Sequence, residues 1–202
     1  MAFQGSLFSQ AGDPETFDRE FREMRRIQLS DDAWIDRQPG WAKDPDGLFL
    51  TAMEALDWKE GTERIRGEEI ARPRLVARFD RSDLPPGLEV IGEMSDVLSE
   101  RYGVALDRIT ANLYRNGSDS VAWHGDRIAR DMEEATVAIL SLGEPRPFRI
   151  RPKGGGSSMG WPAGRGDLLV MGGSCQRTFD HSIPKVASAG PRIAVMFRHA
   201  YD

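Results

Sequence analysis

The 202 residues, 40% of them hydrophobic, are enough for one domain with a sizeable core and do not require two. No apolar run approaches the length of a membrane span, and residues 1–10 lack both the basic start and the apolar stretch of a secretory signal. A formal charge of −5 argues against a general binder of phosphate backbones, and the lone Cys175 excludes an intramolecular disulfide framework and fits a reducing, cytoplasmic setting, where it reads as a small packed residue rather than a nucleophile.

Taken in chain order, Asp13-Pro14 reads as an N-cap followed by proline at the first helical position, with Phe17, Phe21 and Met24 on one helical face. That pattern predicts a helix to about Leu29, and the stretch 30–43, carrying Trp34 and Trp41, then reads as turn-rich. A second helix is predicted over 44–58 with Leu48, Ala52, Ala55 and Leu56 inward, although Gly47 weakens its start. Residues 60–80 read as a polar connection that becomes strand-like over 75–79. Pro85-Pro86-Gly87 introduces a third helix over 88–102, stopped by Gly103. Strand candidates follow in series at 109–115, 120–124, 136–142, 148–151, 168–171 and 192–199. Turn signals separate them at Asn116-Gly117, Gly143-Glu144-Pro145 and Gly154-Gly155-Gly156, the last reading as a hairpin tip because it lacks the strand-to-helix context of a phosphate loop. Short strands after helices indicate an α+β chain, a double-sheet jelly roll with helices packed on one side.

Charge is unevenly spread, acidic residues dominating before Gly103 and basic ones after it. Arg146, Arg149, Arg151, Lys153, Arg165 and Arg177 read equally as a solvated surface and as a nucleic-acid face. His124 and Asp126 stand two residues apart, so on a strand they point to one face, and His181 follows the apolar strand candidate at 168–171. His-x-Asp alone is a pattern that surface turns also produce. Two histidines and one carboxylate suit non-haem Fe(II), with positions left open for a co-substrate and oxygen. Alternation along 192–198 puts Arg192, Ala194, Met196 and Arg198 on one face and Ile193, Val195 and Phe197 on the other. Two arginines on a face that otherwise reads as buried call for an anion, and guanidinium is suited to bidentate carboxylate binding. His199 falls on the face opposite Arg198 and is excluded as a ligand.

In this order, Asn112-x-Tyr114, His124-x-Asp126, the run His181-Ser182-Ile183-Pro184 and Arg192-x5-Arg198 resemble the AlkB family of 2-oxoglutarate- and Fe(II)-dependent dioxygenases over roughly the last half of the chain. Pro73-Arg74 resembles it more weakly. The resemblance implies a double-stranded β-helix core over about 104–202, with about 1–103 giving supporting N-terminal helices and a substrate-recognition lid near 60–80, all in a single domain. It implies that His124, Asp126 and His181 hold catalytic Fe(II). The far carboxylate of 2-oxoglutarate would then lie against Arg192 and Tyr114, and the near one against Asn112 and Arg198, with Arg198 also orienting Asp126. With O2 as oxidant, the implied reaction is oxidative demethylation of alkylated nucleobases in DNA repair: an N-methyl group is hydroxylated and the hemiaminal releases formaldehyde. The implied partner is alkylated nucleic acid, DNA before RNA, met by a monomer with no membrane association. Arg74, Trp123, Arg149 and Arg151 are candidate substrate contacts; Trp123, Trp41, Trp58 and Trp161 are stacking candidates, with core packing the better reading of any one of them. Two positions depart from the family pattern. Ile128 stands where a carboxylate helps to read the base, with Asp131, Glu133 and Glu134 as possible substitutes, and Ala194 stands where an asparagine is often found. RNA bases, a small-molecule substrate, or a jelly-roll binding module without catalysis are the alternatives.

Overall fold

The computed structural model describes residues 15–65, 68–126 and 132–199. Its strands are β1 (Arg25–Gln28), β2 (Ala33–Gln38), β3 (Thr62–Ile65), β4 (Glu68–Ala71), β5 (Leu75–Asp80), β6 (Arg108–Tyr114), β7 (Val121–His124), β8 (Val137–Gly143), β9 (Arg146–Pro152), β10 (Met159–Ala163), β11 (Asp167–Gly173), β12 (Phe179–Ile183) and β13 (Arg192–Arg198). Helices α1 (Pro45–Ala55) and α2 (Glu89–Tyr102) and the single turn α3 (Cys175–Thr178) complete it. Seven strands form one sheet in the order β1-β2-β11-β8-β13-β6-β5, four form a second in the order β10-β9-β12-β7, and β3 and β4 pair as a hairpin in the 60–80 region. Two antiparallel sheets face each other, which is the jelly-roll arrangement.

Strand β13 shows how sequence alternation builds both layers. Ile193, Val195 and Phe197 join the core beneath α1 and α2 with Leu48, Ala52, Ile91, Met94 and Leu98. Ala194 and Met196 point the other way, into the space between the sheets, with Ile139, Phe148 and Ile150. Fully buried Phe197 is the sort of residue whose truncation to alanine costs about 3–5 kcal/mol. Because both faces are covered, the central strands β8 and β13 read as continuous apolar runs rather than as half-polar ones.

Helix α1 starts at Pro45 with the Asp44 carboxylate accepting from the Gly47 amide at 3.0 Å. A side chain at 47 would collide with that carboxylate, so the glycine that weakens the helix on propensity makes room for its cap. Helix α2 ends where Gly103 turns left-handed at φ 67°, as its position after Tyr102 predicts. The hairpin tip at 154–156 joins the antiparallel pair β9 and β10, all three glycines having positive φ.

The first predicted helix does not form over its described part. Asp13 and Pro14 lie outside the described residues, Phe17 makes an isolated bridge to Ala42, and β1 occupies the end of the stretch. The cause is Asp18, which is buried and accepts from the amides of Glu20 (3.2 Å) and Arg22 (2.7 Å) and from Gln38 Nε2 (2.6 Å). A side chain that binds its own downstream amides competes with helix formation. Phe17 and Phe21 are buried nonetheless, stacking around Trp41 at centroid distances of 4.9 and 5.9 Å. The turn-rich reading of 30–43 is also corrected: β2 lies within it, buried along most of its length and therefore lacking a clean polar alternation. Strands β1, β2 and β5, all before Gly103, extend the large sheet.

Candidate metal centre and co-substrate cavity

The register of β12 against β7 sets His181 directly across from His124, their rings 4.3 Å apart. Phe148 stacks on His181 from the neighbouring strand at 5.7 Å. Asp126 follows two residues after the end of β7, and the ligand atoms of His124, Asp126 and His181 lie within 4.8 Å of one another. The His124 Nδ1–H donates to the Ala122 carbonyl at 2.8 Å, which leaves Nε2 with its lone pair 3.8 Å from Asp126 Oδ1.

Electrostatics prepare the same trio. Burial, reinforced by His124 beside it, pushes the His181 pKa down to about 3. Burial tends to raise that of Asp126, but Arg198 outweighs it, and with the two histidines brings the carboxyl down to about 2. A neutral His181 and an ionised Asp126 are the forms that bind a cation, and with the His124 ring across from them the donor set, two imidazoles and one carboxylate, fits a metal such as iron(II). Arg198 Nε donates to Asp126 Oδ2 at 2.9 Å while its Nη1 donates to Thr110 Oγ1 at 2.7 Å, so the second carboxylate oxygen is already engaged.

Beside this trio a cavity of about 640 Å³ opens between the two sheets. Asn112 and Tyr114 of β6, and Arg192 and Arg198 of β13, all line it, as their alternation predicts. Arg192 is only 1% exposed, with Nε donating to the Ala163 carbonyl at 2.9 Å and Nη2 to Ser141 Oγ at 2.7 Å. Its Nη1 is buried with no hydrogen-bond partner, and among the described residues Arg192 makes no ion pair. A buried guanidinium with an orphaned nitrogen at the cavity wall suits an incoming carboxylate. The Tyr114 ring lies 5.2 Å from this guanidinium, and Asn112 Nδ2 is 3.5 Å from Met196 Sδ. The chemistry of this lining fits 2-oxoglutarate.

The candidate substrate contacts divide. Arg74 lines the cavity, its Nη1 3.5 Å from the Ser120 carbonyl, and Trp123 lines it beside His124. Arg151 is not part of the lining and approaches it only by stacking on Trp123 at 4.1 Å. Arg149 is exposed and lines a separate groove with Pro147 and Trp161, because its parity on β9 is opposite to that of Phe148 and Ile150. Arg146 is fully buried rather than part of a basic surface, donating to the carbonyls of Asn116 and Asp119 at 2.9 Å and of Pro184 at 2.8 Å. It ties the turn before β7 to the end of β12. Trp41 is core, Trp58 donates to the Met53 carbonyl at 3.2 Å, and neither they nor Trp161 line the cavity. Ile128 and Asp131 lie outside the described residues, while Glu133 and Glu134 are exposed and away from the lining. His199 accepts from the Thr136 amide at 3.1 Å and is not a lining residue.

Sequence reasoning missed Arg72, Arg78, Arg108 and Thr110, all of which line the cavity. Extending the alternation from Arg74 through the strand at 75–79 would have found Arg78. Ser141 and Gln176, which hold Arg192 and Asp126, carry no local signal.

The family model described as the 2OG-Fe(II) oxygenase superfamily matches residues 44–198. The chain belongs to that superfamily. Among curated proteins, this oxygenase is 27% identical to the human alpha-ketoglutarate-dependent dioxygenase alkB homolog 3, over 95% of its own chain and 74% of that protein. It is 31% identical to the DNA oxidative demethylase ALKBH2 of Arabidopsis thaliana, over 71% of its chain and 58% of that protein. The oxygenase is therefore AlkB-like, and its co-reactants are iron(II), 2-oxoglutarate and O2. Among solved structures it superposes on a prolyl hydroxylase from Trichoplax adhaerens, in complex with a peptide fragment of hypoxia inducible factor. That match has a TM-score of 0.60 and 13% identity over 82% of this chain and 83% of the other, a likeness of fold.

Proposed function

We propose that the oxygenase demethylates alkylated nucleobases, acting on DNA in repair, with His124, Asp126 and His181 holding iron(II) and Arg192 holding 2-oxoglutarate. The observation that carries the substrate class is the charge of the cavity. Among the described residues, six that line it are arginines, Arg72, Arg74, Arg78, Arg108, Arg192 and Arg198, against one carboxylate, Asp126. The co-substrate and Asp126 account for Arg192 and Arg198. Arg78 on β5, Arg108 on β6, and Arg72 and Arg74 just before β5 add further positive charge to the lining, in a chain whose net charge is −5. An anionic polymer is the substrate such a local field favours, and the relatives' printed names point the same way.

Bound at the three ligands, iron(II) supplies with 2-oxoglutarate and O2 the oxidising power to hydroxylate a C–H bond. The chain supplies position and charge. Arg192 Nη1 and the Tyr114 side receive the far carboxylate, while Asn112 lies on the path to the near one. Arg198 neutralises Asp126 and keeps its Oδ2 turned away, leaving Oδ1 on the histidine side. Trp123, at the rim beside His124, offers a face for a base removed from its stack, and Arg74 and Arg78 take the flanking phosphates. All these groups come from one chain, so a monomer suffices.

The test is anaerobic loading with iron(II) and 2-oxoglutarate, followed by oxygen and a panel of methylated DNA and RNA oligonucleotides with formaldehyde and succinate as readouts. Formaldehyde released from DNA above RNA is the expected result. Succinate formed with no formaldehyde from any oligonucleotide, and no oligonucleotide binding at low salt, overturns the nucleic-acid reading in favour of a small-molecule substrate. Absence of both products would favour a binding module.

A further inference from the structure

The carboxylate ligand stands outside the strand ladder. Pairing of β7 ends at His124, so the main chain of Gly125 and Asp126 has no strand partner to fix it. The Asp126 amide instead donates to the Gln176 side-chain oxygen Oε1 at 3.0 Å, a contact that crosses 50 residues. The main-chain carbonyl of the same Gln176 closes over Gly125 so tightly that a Cβ there would collide with it. Gln176 therefore holds the Gly125–Asp126 pair by its side chain and its backbone at once.

Gln176 is itself fixed. It is 2% exposed, and its Nε2 donates to Met171 Sδ on β11 at 3.3 Å, which sets the amide so that Oε1 faces Asp126. It sits in α3, whose first turn is closed by Thr178 N donating to the Ser174 carbonyl at 2.9 Å and is anchored to the β1–β2 turn by Ser174 N donating to Asp32 O at 3.0 Å. Strand β12 leaves α3 directly at Phe179 and carries His181 five residues after Gln176. One short turn thus sets the chain that bears His181 and, through a side chain, the chain that bears Asp126.

We propose that Gln176 is a positioning residue for the metal carboxylate: by accepting from the Asp126 amide it holds that side chain with Oδ1 toward the histidines and Oδ2 on Arg198. The inference rests on reading His124, Asp126 and His181 as metal ligands. Without Gln176, Asp126 loses its main-chain anchor while Arg198 still pulls on Oδ2, and the carboxylate is drawn from the histidines. Outer partners of metal ligands of this kind alter metal affinity by about 10- to 100-fold.

The experiment measures Co(II) affinity on metal-stripped protein, from the cobalt absorption bands, without 2-oxoglutarate. Q176L, which keeps bulk but offers no acceptor, should weaken Co(II) binding by roughly 10-fold or more. Q176N, which keeps the amide but withdraws it by one methylene, should act in the same direction and carries the test if the leucine variant does not fold. Q176E, which keeps an oxygen at the same reach, should recover much of the loss. In a D126A background the leucine or asparagine substitution should cost no further affinity, because a residue that acts through Asp126 has nothing left to position. A folded Q176L or Q176N that binds Co(II) like the unaltered protein overturns the proposal, as does an undiminished further loss in the D126A background. Failure of the metal reading looks different: H181A would bind Co(II) as tightly as the unaltered protein.

Discussion

Replacing Arg192 by methionine isolates the part of the cavity that the co-substrate reading most depends on. The guanidinium is 1% exposed, two of its nitrogens are held by Ala163 and Ser141, and Nη1 alone is buried without a partner. A carboxylate received there gains a charge-assisted contact in a site shielded from water, worth about 2–4 kcal/mol. At about 1.4 kcal/mol per decade that is roughly a 30- to 1,000-fold rise in the 2-oxoglutarate Kd. Stability should move far less, because the two consequences for the empty protein oppose each other. Methionine relieves the burial of an incompletely bonded cation, and it orphans the Ala163 carbonyl, a loss of about 1–3 kcal/mol. The assay is anaerobic titration of 2-oxoglutarate into the Mn(II)-loaded variant, beside thermal melting of both proteins. A folded R192M variant with an unchanged Kd would remove Arg192 from the co-substrate site and refute the argument. S141A should show a smaller effect in the same direction, since it frees Nη2 without removing the charge.

Alanine at His124 or His181 should abolish succinate formation by removing one of three protein ligands; succinate at the normal rate with unchanged iron loading would refute the metal assignment. G125A should weaken metal binding although alanine is small, because its Cβ meets the Gln176 carbonyl; Co(II) affinity equal to that of the unaltered protein would count against the tight approach. In metal-free protein, burial holds the His181 and His199 pKa values below their ordinary range, so the unfolded chain binds protons first as pH falls. Urea midpoints in a chelator should therefore be level above about pH 6.5 and decline below it, the His181 contribution fading only near pH 3; a flat profile down to pH 4 would contradict the burial argument. Charge reversal in R78E should lower oligonucleotide affinity and flatten its salt dependence by roughly one phosphate contact, while R149E, on the outer face of β9, should change it little.

The helices and strands visible in sequence were those whose ends are marked or whose apolar residues run unbroken along the strand. Helix α2 has Gly103 at its end, α1 has Asp44-Pro45 at its start, and β13 keeps strict alternation between two cores. Elsewhere the same hydrophobic spacing served a different backbone. Phe17, Phe21 and Met24 fit a helical face, yet the carboxylate of Asp18 closes a turn there, and a propensity argument cannot see that Gln38, twenty residues on, will complete its bonding. Strand β10 contains a glycine and a proline and lies at a sheet edge, where neither is excluded but both erase the strand signal. Strand β12 carries polar residues at its three central positions, two of them, His181 and Ser182, buried, so the ligand was readable while its strand was not.

The site divides along a similar line. Asn112 and Tyr114 on β6 and Arg192 and Arg198 on β13 are visible because strand parity makes them meet at the cavity, whereas Asp126 lies two residues past the end of β7 and was legible only from its His-x-Asp spacing. The groups that hold them, Ser141 on Arg192 and Gln176 on Asp126, act over 51 and 50 residues and are chosen by the fold alone. The substrate side is a third case, in which composition and the cavity lining draw attention to different arginines. Basic residues outnumber acidic ones only after Gly103, which made Arg149 and Arg151 candidates beside Arg74 and read equally as a solvated surface. Pairing of β5 with β6 brings Arg78, and the segment just before β5 brings Arg72 and Arg74, from the acidic part of the chain to the cavity lining that Arg108 shares. Potential at a site depends on which charges face it and how near they lie, so arginines in the lining count for more there than acidic residues farther away, which are screened within about 10 Å. On the proposed function a small footprint is expected: if the phosphates flanking one extruded base meet these arginines, the salt dependence of oligonucleotide binding should correspond to roughly four contacts or fewer.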